Sequence, residues 1–204
     1  KNWDYIVMQA QSQEPSFSPS QVSTVVYPYA QILIDSIESN SNCIEPIFFM
    51  TWGRKYGDQQ NCQFYPPICT YSGMQQRLKE SYLEMTLTHD ASCAPVGLAW
   101  KESISQDSLL NLYTSDNSHP NIYGSYLAAC TFYATIFKKS PIGSSFIPTF
   151  IDSATALFLQ TIASNVVLDS LSNWNIFNSQ FSSSINEDSV FFNNQSSNYE
   201  NIVW

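Results

Sequence analysis

The segment "IEPIFFMTW", residues 44–52, indicates the fold most directly. It is a short apolar run followed by a polar loop, a pattern typical of a strand that is buried on both faces of a sheet. The segments "YIVMQ" (5–9) and "CAPVGLAW" (93–100) have the same character. The sequence therefore predicts three buried strands.

Amphipathic helical patterns separate these strands. Residues 18–39 are predicted as one helix entered through Ser18 and Pro19, and residues 71–90 as a second. Two more helices are expected at roughly 121–138 and 148–174. Strands that alternate with helices predict an α/β fold with a parallel sheet and helices on both faces, three layers in all.

The negative net charge argues against two classes of binding partner, nucleic acids and anionic lipid surfaces. The chain has 204 residues, of which 12% are charged, and its formal net charge is -9. Such a protein repels phosphate backbones and anionic lipid surfaces, so nucleic acid and peripheral membrane binding are not expected. No apolar run reaches the roughly 18 residues of a membrane span.

Cysteine usage favours an exported protein. Five cysteines accompany only eight lysines and arginines, which fits a secreted or cell-surface protein better than a cytosolic one. Cys62 and Cys69 bracket a proline-rich loop and are predicted to form a disulfide, while Cys43 and Cys93 are a weaker candidate pair. Cys130 is expected to be a buried thiol. A metal site is the alternative for the first pair, but no second pair or nearby histidine supports it, so no metal or other cofactor is expected.

Ligands of parallel α/β sheets bind outside the carboxyl ends of the strands. The residues that leave the three predicted strands there are small, polar or aromatic: Gln9, Ala10, Gln11, Ser12, Thr51, Trp52, Gly53, Arg54, Gly97 and Leu98. Trp52, Tyr56 and Trp100 are candidates for a sugar-stacking surface, although aromatic residues at such places also serve as core or loop packing.

The spacing of Asp116 and His119 points to acid–base chemistry. A short turn lets the carboxylate accept a hydrogen bond from one imidazole nitrogen, which leaves the other nitrogen as a general base. The alternative is a surface turn in which Asp116 caps the backbone and His119 is merely solvated. The other histidine, His89, follows a predicted helix and is expected to lie at an exposed helix end.

Several motifs together resemble the SGNH/GDSL hydrolase superfamily. "DNSHPN" (116–121) with the following "GSYLAACTFYATIF" resembles its last catalytic block. Four further segments resemble the bacterial, Bacteroidota-like branch of this superfamily: "WDYIVMQAQSQEPS", "MTWGR", "MQQRL" and "APVGLAWK". The similarity covers about residues 1–145. It implies a flavodoxin-like architecture and a serine-dependent cleavage of ester bonds.

The resemblance also implies roles for individual residues. His119 would be the general base and Asp116 the carboxylate that orients it. Many relatives have an asparagine that donates to the oxyanion, and this chain has Gln11 at the matching place, whose amide can serve the same purpose.

No residue of this chain matches the family's nucleophilic serine. In the family that serine lies in a small-residue turn after a strand that precedes the one at Tyr5. Ser12 and Ser16 follow a different strand and lack such a turn. The expectation is that an upstream segment or separate chain supplies the serine and the preceding edge strands, that the sheet is incomplete at its N-terminal side, and that this chain alone is inactive.

The composition changes near residue 175. We expect residues 1–175 to be the hydrolase-like domain, and residues 176–204 to resemble the beginning of a PKD-type, immunoglobulin-like β-sandwich, with a disordered polar tail as the alternative.

Three classes of function are compatible with the sequence. The leading one is an esterase or deacylase, acting on an ester substrate such as acylated carbohydrate, within a multidomain exported protein. The others are a non-catalytic binding or adhesion module with the same fold, and a structural component of a surface assembly.

Overall fold

The computed structural model of the protein describes residues 3–40, 43–177, 181–186 and 189–194. Its main sheet has three parallel strands in the order β1 (Tyr5–Met8), β2 (Glu45–Phe49) and β3 (Ser92–Ala94). Met8 lies opposite Phe48, and Phe48 lies opposite Cys93. The predicted parallel sheet is therefore present, with its three strands in sequence order.

Six α-helices pack around this sheet within the described ranges. Their bounds are α1 (Pro19–Val25), α2 (Tyr27–Glu38), α3 (Tyr71–Thr88), α4 (Val96–Gln106), α5 (Ile122–Phe137) and α6 (Ser153–Leu168). Short 3₁₀ turns occupy Glu14–Ser16, Pro66–Cys69 and Leu171–Trp174.

Alternating residues of β2 show that helices cover both faces of the sheet. Phe48 packs in a cluster with residues of α1, α2 and α3, whereas the adjacent Phe49 packs against the cluster formed by α4, α5 and α6. Neighbouring residues of a strand point to opposite faces, so the two clusters lie on opposite sides of the sheet. The architecture is the three-layer α/β arrangement expected of a flavodoxin-like fold.

The predicted helix at residues 18–39 is in fact two helices. The helix is interrupted at Val26, whose backbone angles, φ of -121° and ψ of -57°, differ from those of a helix. Pro28 follows in the first turn of α2 and has no N–H to continue the hydrogen-bond ladder of α1. A new helix can begin with proline in its first turn, so the apolar pattern continues while the helix axis does not.

The predicted strand at residues 93–100 is also shorter than expected. Extended structure ends at Ala94, and α4 begins at Val96. An apolar run of this length fits a buried strand and a buried helix equally well, so its pattern does not reveal the boundary between β3 and α4. Gly97 marks the transition: a Cβ there would lie 2.1 Å from the carbonyl oxygen of Thr51, so only glycine lets α4 begin this close to the end of β2.

The last predicted helix, at roughly 148–174, is shorter as well. α6 spans only Ser153–Leu168, and Asp152 caps its first turn by accepting from the amides of Ala154 and Thr155. The chain then forms the 3₁₀ turn Leu171–Trp174.

Two of the three cysteine predictions are confirmed and one is wrong. Cys62 and Cys69 are joined by a disulfide, as predicted, and Cys130 is a buried thiol. The weaker candidate pair, Cys43 and Cys93, is wrong: Cys93 pairs with Phe48 in the sheet, and Cys43 lies five residues before Phe48. No disulfide joins the two residues, and the strand from Glu45 to Phe48 alone advances about 10 Å, which is beyond the reach of a disulfide.

The segment after residue 177 contains an antiparallel hairpin. β4 (Phe181–Asn186) pairs with β5 (Ser189–Asn194). Residues 195–204, on which the resemblance to a β-sandwich also depends, lie outside the described residues. Among the helices of the described ranges, none has the length and apolar character needed to cross a membrane.

Candidate functional site

The carboxyl ends of β1 and β2 and the loop before α5 meet around one cleft of about 340 Å³. This is the edge of the sheet at which the sequence predicted a site. The cleft is lined by Gln9, Gln11, Ser12, Thr51, Trp52, Arg54, Ser118, His119 and Pro120.

Asp116 and His119 form the hydrogen-bonded pair that their spacing predicts. His119 Nδ1 lies 2.6 Å from Asp116 Oδ2. The other carboxylate oxygen accepts from the amides of Ser118 and His119, each at 2.9 Å, and from the Thr114 hydroxyl at 2.8 Å. These contacts fix the carboxylate in one orientation, so Nδ1 of the imidazole is committed to Asp116 and Nε2 is left to exchange a proton.

The same contacts set the charge of Asp116. The hydrogen bond from His119 is the largest effect, and together with the backbone amides of His119 and Ser118 and the Thr114 hydroxyl it holds the pKa of the Asp116 carboxyl well below its usual range. Asp116 is therefore an anion throughout the neutral range. Both side chains are accessible, with 78% of His119 and 48% of Asp116 exposed.

Backbone pairing shapes the loop that carries the pair. Tyr113 and Pro120 form an isolated antiparallel bridge, and the Thr114 amide donates to the carbonyl of His119 at 2.9 Å. Asn117 lies in the left-handed region with φ of 58°, which asparagine tolerates better than most residues. The segment is thus a tight hairpin rather than a solvated coil.

Aromatic packing beneath the cleft connects this hairpin to the core. Trp52 stacks on the fully buried Trp100 with ring centroids 4.1 Å apart and an angle of 5° between the planes. Tyr113 meets the same Trp100 edge to face at 4.8 Å. Gly124 lets α5 approach, because a Cβ there would lie 2.4 Å from the Trp100 ring. The start of α5, and with it the hairpin, is thereby placed against the end of β2.

This packing corrects the suggested sugar-stacking surface. Trp100 has no exposed surface, and Trp52 is covered by Trp100 on one face. Tyr56 is 61% exposed but lines a different cavity, together with Lys55 and Tyr71. The three rings do not form a common platform, because two of them serve to support the hairpin.

Gln11 lies on the cleft with its amide fixed. Its Oε1 accepts from the amides of Gln13 at 2.8 Å and Glu14 at 3.2 Å. Since the oxygen is occupied, Nε2 is the end of the amide that remains to donate to a ligand. Gln9 and Arg54 line the same cleft. Both were expected after the ends of strands, but the sequence pattern indicates no function for either.

The two serines that follow β1 differ in their surroundings. Ser16 is buried and its hydroxyl donates to the carbonyl of Gln13 at 2.6 Å, which is a structural contact. Ser12 lines the cleft, yet no hydrogen bond joins it to His119 within the described part of the chain.

The remaining histidine lies away from the cleft. His89 ends α3 and lines a cavity with Ile44 and Pro46, at the amino end of β2. Its position at a helix end agrees with the prediction, but its side chain is only partly exposed, with its ring centroid 6.1 Å from that of Phe48. Across the residues that the structure describes, no group of three or more histidine, cysteine or acidic side chains is arranged to hold a metal ion.

Comparisons with known proteins concern the fold. No family model matches the chain, and no curated protein does. A crystal structure of a DUF4886 family protein from Bacteroides uniformis ATCC 8492 superposes with a TM-score of 0.67 and 18% identity, covering 81% of this chain. The chain spans 62% of the length of that protein.

A second solved structure is that of a putative SGNH hydrolase from Slackia heliotrinireducens. It superposes with a TM-score of 0.51 and 24% identity over 66% of each chain. At these identities the two structures establish the fold alone. The chain therefore has an SGNH-hydrolase-like α/β fold, in agreement with the flavodoxin-like architecture expected from its motifs.

Proposed function

We propose that this chain provides the base and the oxyanion donor of a serine-dependent ester hydrolase, an esterase or deacylase. The observation that carries the proposal is the 2.6 Å contact between His119 Nδ1 and Asp116 Oδ2 at a cleft that Gln11 also lines. Asp116 orients the imidazole, His119 is the general base, and Gln11 stabilises the oxyanion.

The geometry suits acyl transfer in two steps. With Nδ1 bound to Asp116, His119 Nε2 takes the proton of a serine hydroxyl as its oxygen attacks the ester carbonyl. Gln11 Nε2 donates to the negative oxygen that develops. The imidazolium then gives its proton to the departing alkoxide, and a water molecule activated by the same nitrogen releases the acid and restores the serine.

The nucleophile is proposed to come from a further segment of the parent protein that pairs with β1. The Glu45 amide donates to the carbonyl of Asp4 at 2.9 Å, so in a parallel ladder the peptide groups of Tyr5 and Val7 point away from β2. Val7 is 45% exposed on this open edge. A parallel strand added there would satisfy those peptide groups.

An apolar cavity beside the open edge supports the same idea. It measures about 280 Å³ and lies between β1 and α2, where Tyr29 is 64% exposed. Such a concave apolar surface, next to backbone groups with which no described strand pairs, favours a covering segment of the same fold. Its apolar and aromatic lining consists of Met8, Ala10, Val25, Val26, Tyr29, Ala30, Leu33, Phe48, Tyr82 and Met85, and three polar residues complete it, Gln9, Gln11 and Glu14.

The proposed setting is a secreted or cell-surface protein. The disulfide between Cys62 and Cys69 supports an oxidising compartment, because such bonds persist outside the cytosol. Acylated carbohydrate remains the proposed substrate class on the strength of the sequence resemblance. The cleft offers amide and hydroxyl groups suited to a polar, uncharged ligand.

A non-catalytic binding module, in adhesion or in a surface assembly, is the second candidate. It is favoured by one observation: within the described residues, no serine hydroxyl hydrogen-bonds to His119. The same cleft would then hold a ligand without cleaving it.

The deciding experiment uses the chain alone and the intact parent protein. Both are assayed with a short-chain aryl ester and labelled with a fluorophosphonate probe, and the labelled peptide is sequenced. The proposal expects activity and a labelled serine in the parent, both lost in His119→Gln. Ser12→Ala should keep the activity. An unlabelled, inactive parent would favour the binding module, and a label on Ser12 would overturn the proposed source of the nucleophile.

A further inference from the structure

Arg54 stands out among the residues of the cleft. It follows β2, and among the described side chains that line the cleft it is the one that carries a permanent charge. Its side chain is 24% exposed. Such a guanidinium can either bind a ligand in the cleft or hold the loops around it in place.

The contacts of the guanidinium show that its charge is already compensated. Nη1 lies 3.3 Å from Oδ1 of Asp58, a carboxylate with no exposed surface. Asp58 also accepts from the Gln60 amide at 3.2 Å and from Asn61 Nδ2 at 2.7 Å. Because a fully buried carboxylate requires a cation, the charge of Arg54 is used to hold the loop after β2 rather than to attract an anion.

The second arm of the guanidinium reaches the loop after β1. Nη2 donates to the side-chain oxygen of Gln13. The amide of Gln13 donates in turn to Oε1 of Gln11 at 2.8 Å. A continuous series of hydrogen bonds therefore runs from the buried Asp58 through Arg54 and Gln13 to the amide of Gln11.

We infer that Arg54 is a positioning residue that fixes the Gln11 amide by joining the loop after β1 to the loop after β2. A glutamine side chain loses considerable rotamer entropy when it is fixed. Among the described residues, the oxygen of Gln11 is held by the amides of one short turn. Arg54 anchors that turn through the Gln13 side chain. The catalytic meaning of this coupling rests on the proposed function, in which Gln11 stabilises the oxyanion and must be preorganised.

The test separates the anchor from the buried ion pair. Gln13→Ala removes the acceptor of Arg54 Nη2 and leaves the contact between Arg54 and Asp58 intact. Amide hydrogen exchange measured by NMR should become about tenfold faster at residues 13 and 14, because a hydrogen bond to a charged group has been lost. The amides of Gln60 and Asn61 should keep their rates. Gln76→Ala, which removes an exposed glutamine that contacts Glu80, is the matched control and should change neither pair.

Variants of Arg54 itself complete the test. Arg54→Lys keeps a cation for Asp58 but lacks the second arm, so it should fold and show the same fast exchange at residues 13 and 14. Wild-type exchange rates at these amides in Gln13→Ala would overturn the inference, whatever the behaviour of Arg54→Ala, which leaves a buried carboxylate without its cation.

An activity measurement on the intact parent distinguishes this inference from the proposed function. If both hold, Gln13→Ala lowers kcat with little change in KM, because only the transition state gains from a fixed oxyanion donor. Faster exchange with an unchanged kcat would retain the positioning role of Arg54 and reject Gln11 as the oxyanion donor.

Discussion

The indole N–H of Trp52 donates to the carbonyl of Ser118 at 2.9 Å, so the residue that follows β2 holds the hairpin that carries His119. The Lys55 amide adds a second attachment by donating to the carbonyl of Asn117 at 3.0 Å. Both acceptors lie between Asp116 and His119 in the sequence. The candidate base is therefore positioned by the end of the sheet as well as by its own turn.

Replacing Trp52 with phenylalanine should loosen this attachment without emptying the core. Phenylalanine can still stack on Trp100 but has no N–H for Ser118. The expected loss of unfolding free energy is about 1 kcal/mol for the hydrogen bond plus a smaller packing loss, which lowers Tm by about 2–4 °C. Thermal denaturation checks this, with Trp3→Phe, a change at an exposed tryptophan, as the control. Equal melting temperatures for wild type and Trp52→Phe would mean that the hairpin is held by its backbone alone.

The sequence predicted the pair itself because its determinants are local. Asp116, His119 and the turn between them lie within four residues, and Asn121 caps α5 by accepting from the amides of Tyr123 and Gly124. Chemistry confined to one turn can be recognised from spacing. The burial of Trp100 could not be predicted in the same way. It depends on packing against Tyr113 and the start of α5, and these contacts are not encoded in the residues next to Trp100.

Asp116→Asn should change the pH dependence of stability in a definite direction. The pKa of Asp116 is lowered in the folded state, chiefly by the hydrogen bond from His119. A carboxyl whose pKa is lowered contributes stability that is fully present above its unfolded pKa, about 3.9, and is lost as the pH falls toward the folded value. Tm measured from pH 6 down to pH 2 should therefore fall less steeply in Asp116→Asn than in wild type.

The matched control for this change is Asp35→Asn. It alters the net charge equally at an exposed position of α2, where the carboxylate contacts only the Gln31 side chain among the described residues. It should retain the steepness of the wild-type curve. If the proposed function holds, Asp116→Asn should also lower the kcat of ester hydrolysis by about 10²-fold or more, because His119 loses the acceptor that fixes its tautomer. A parallel shift of both variants would indicate a general charge effect instead.

The disulfide should stabilise the loop that carries Asp58. Cys62 and Cys69 lie seven positions apart in the sequence, and closing so short a loop contributes about 2.5 kcal/mol through the entropy of the unfolded chain. The double variant Cys62→Ser/Cys69→Ser should lose that amount of unfolding free energy, measured as a lower midpoint in urea at an unchanged slope. Wild-type protein treated with a reductant should behave in the same way. Cys130→Ser, a change at a buried thiol, tests whether any loss of cysteine has the same effect.

The open edge of the sheet provides a final prediction about the isolated chain. β1 exposes the peptide groups of Tyr5 and Val7 beside an apolar cavity, an arrangement that templates pairing with another strand. Without a covering segment, the 204-residue chain should self-associate in a concentration-dependent way, as measured by sedimentation velocity.

Val7→Lys should reduce this association because a charge on an edge strand opposes strand pairing, whereas Leu109→Lys, at a residue 92% exposed elsewhere, should not. If the proposed function holds, the effect should reverse in a longer protein that supplies the covering strand: Val7→Lys would disturb that strand and lower both stability and the proposed esterase activity. A monomeric isolated chain that Val7→Lys leaves unchanged would show that this edge needs no partner, and the proposed source of the serine would lose its structural support.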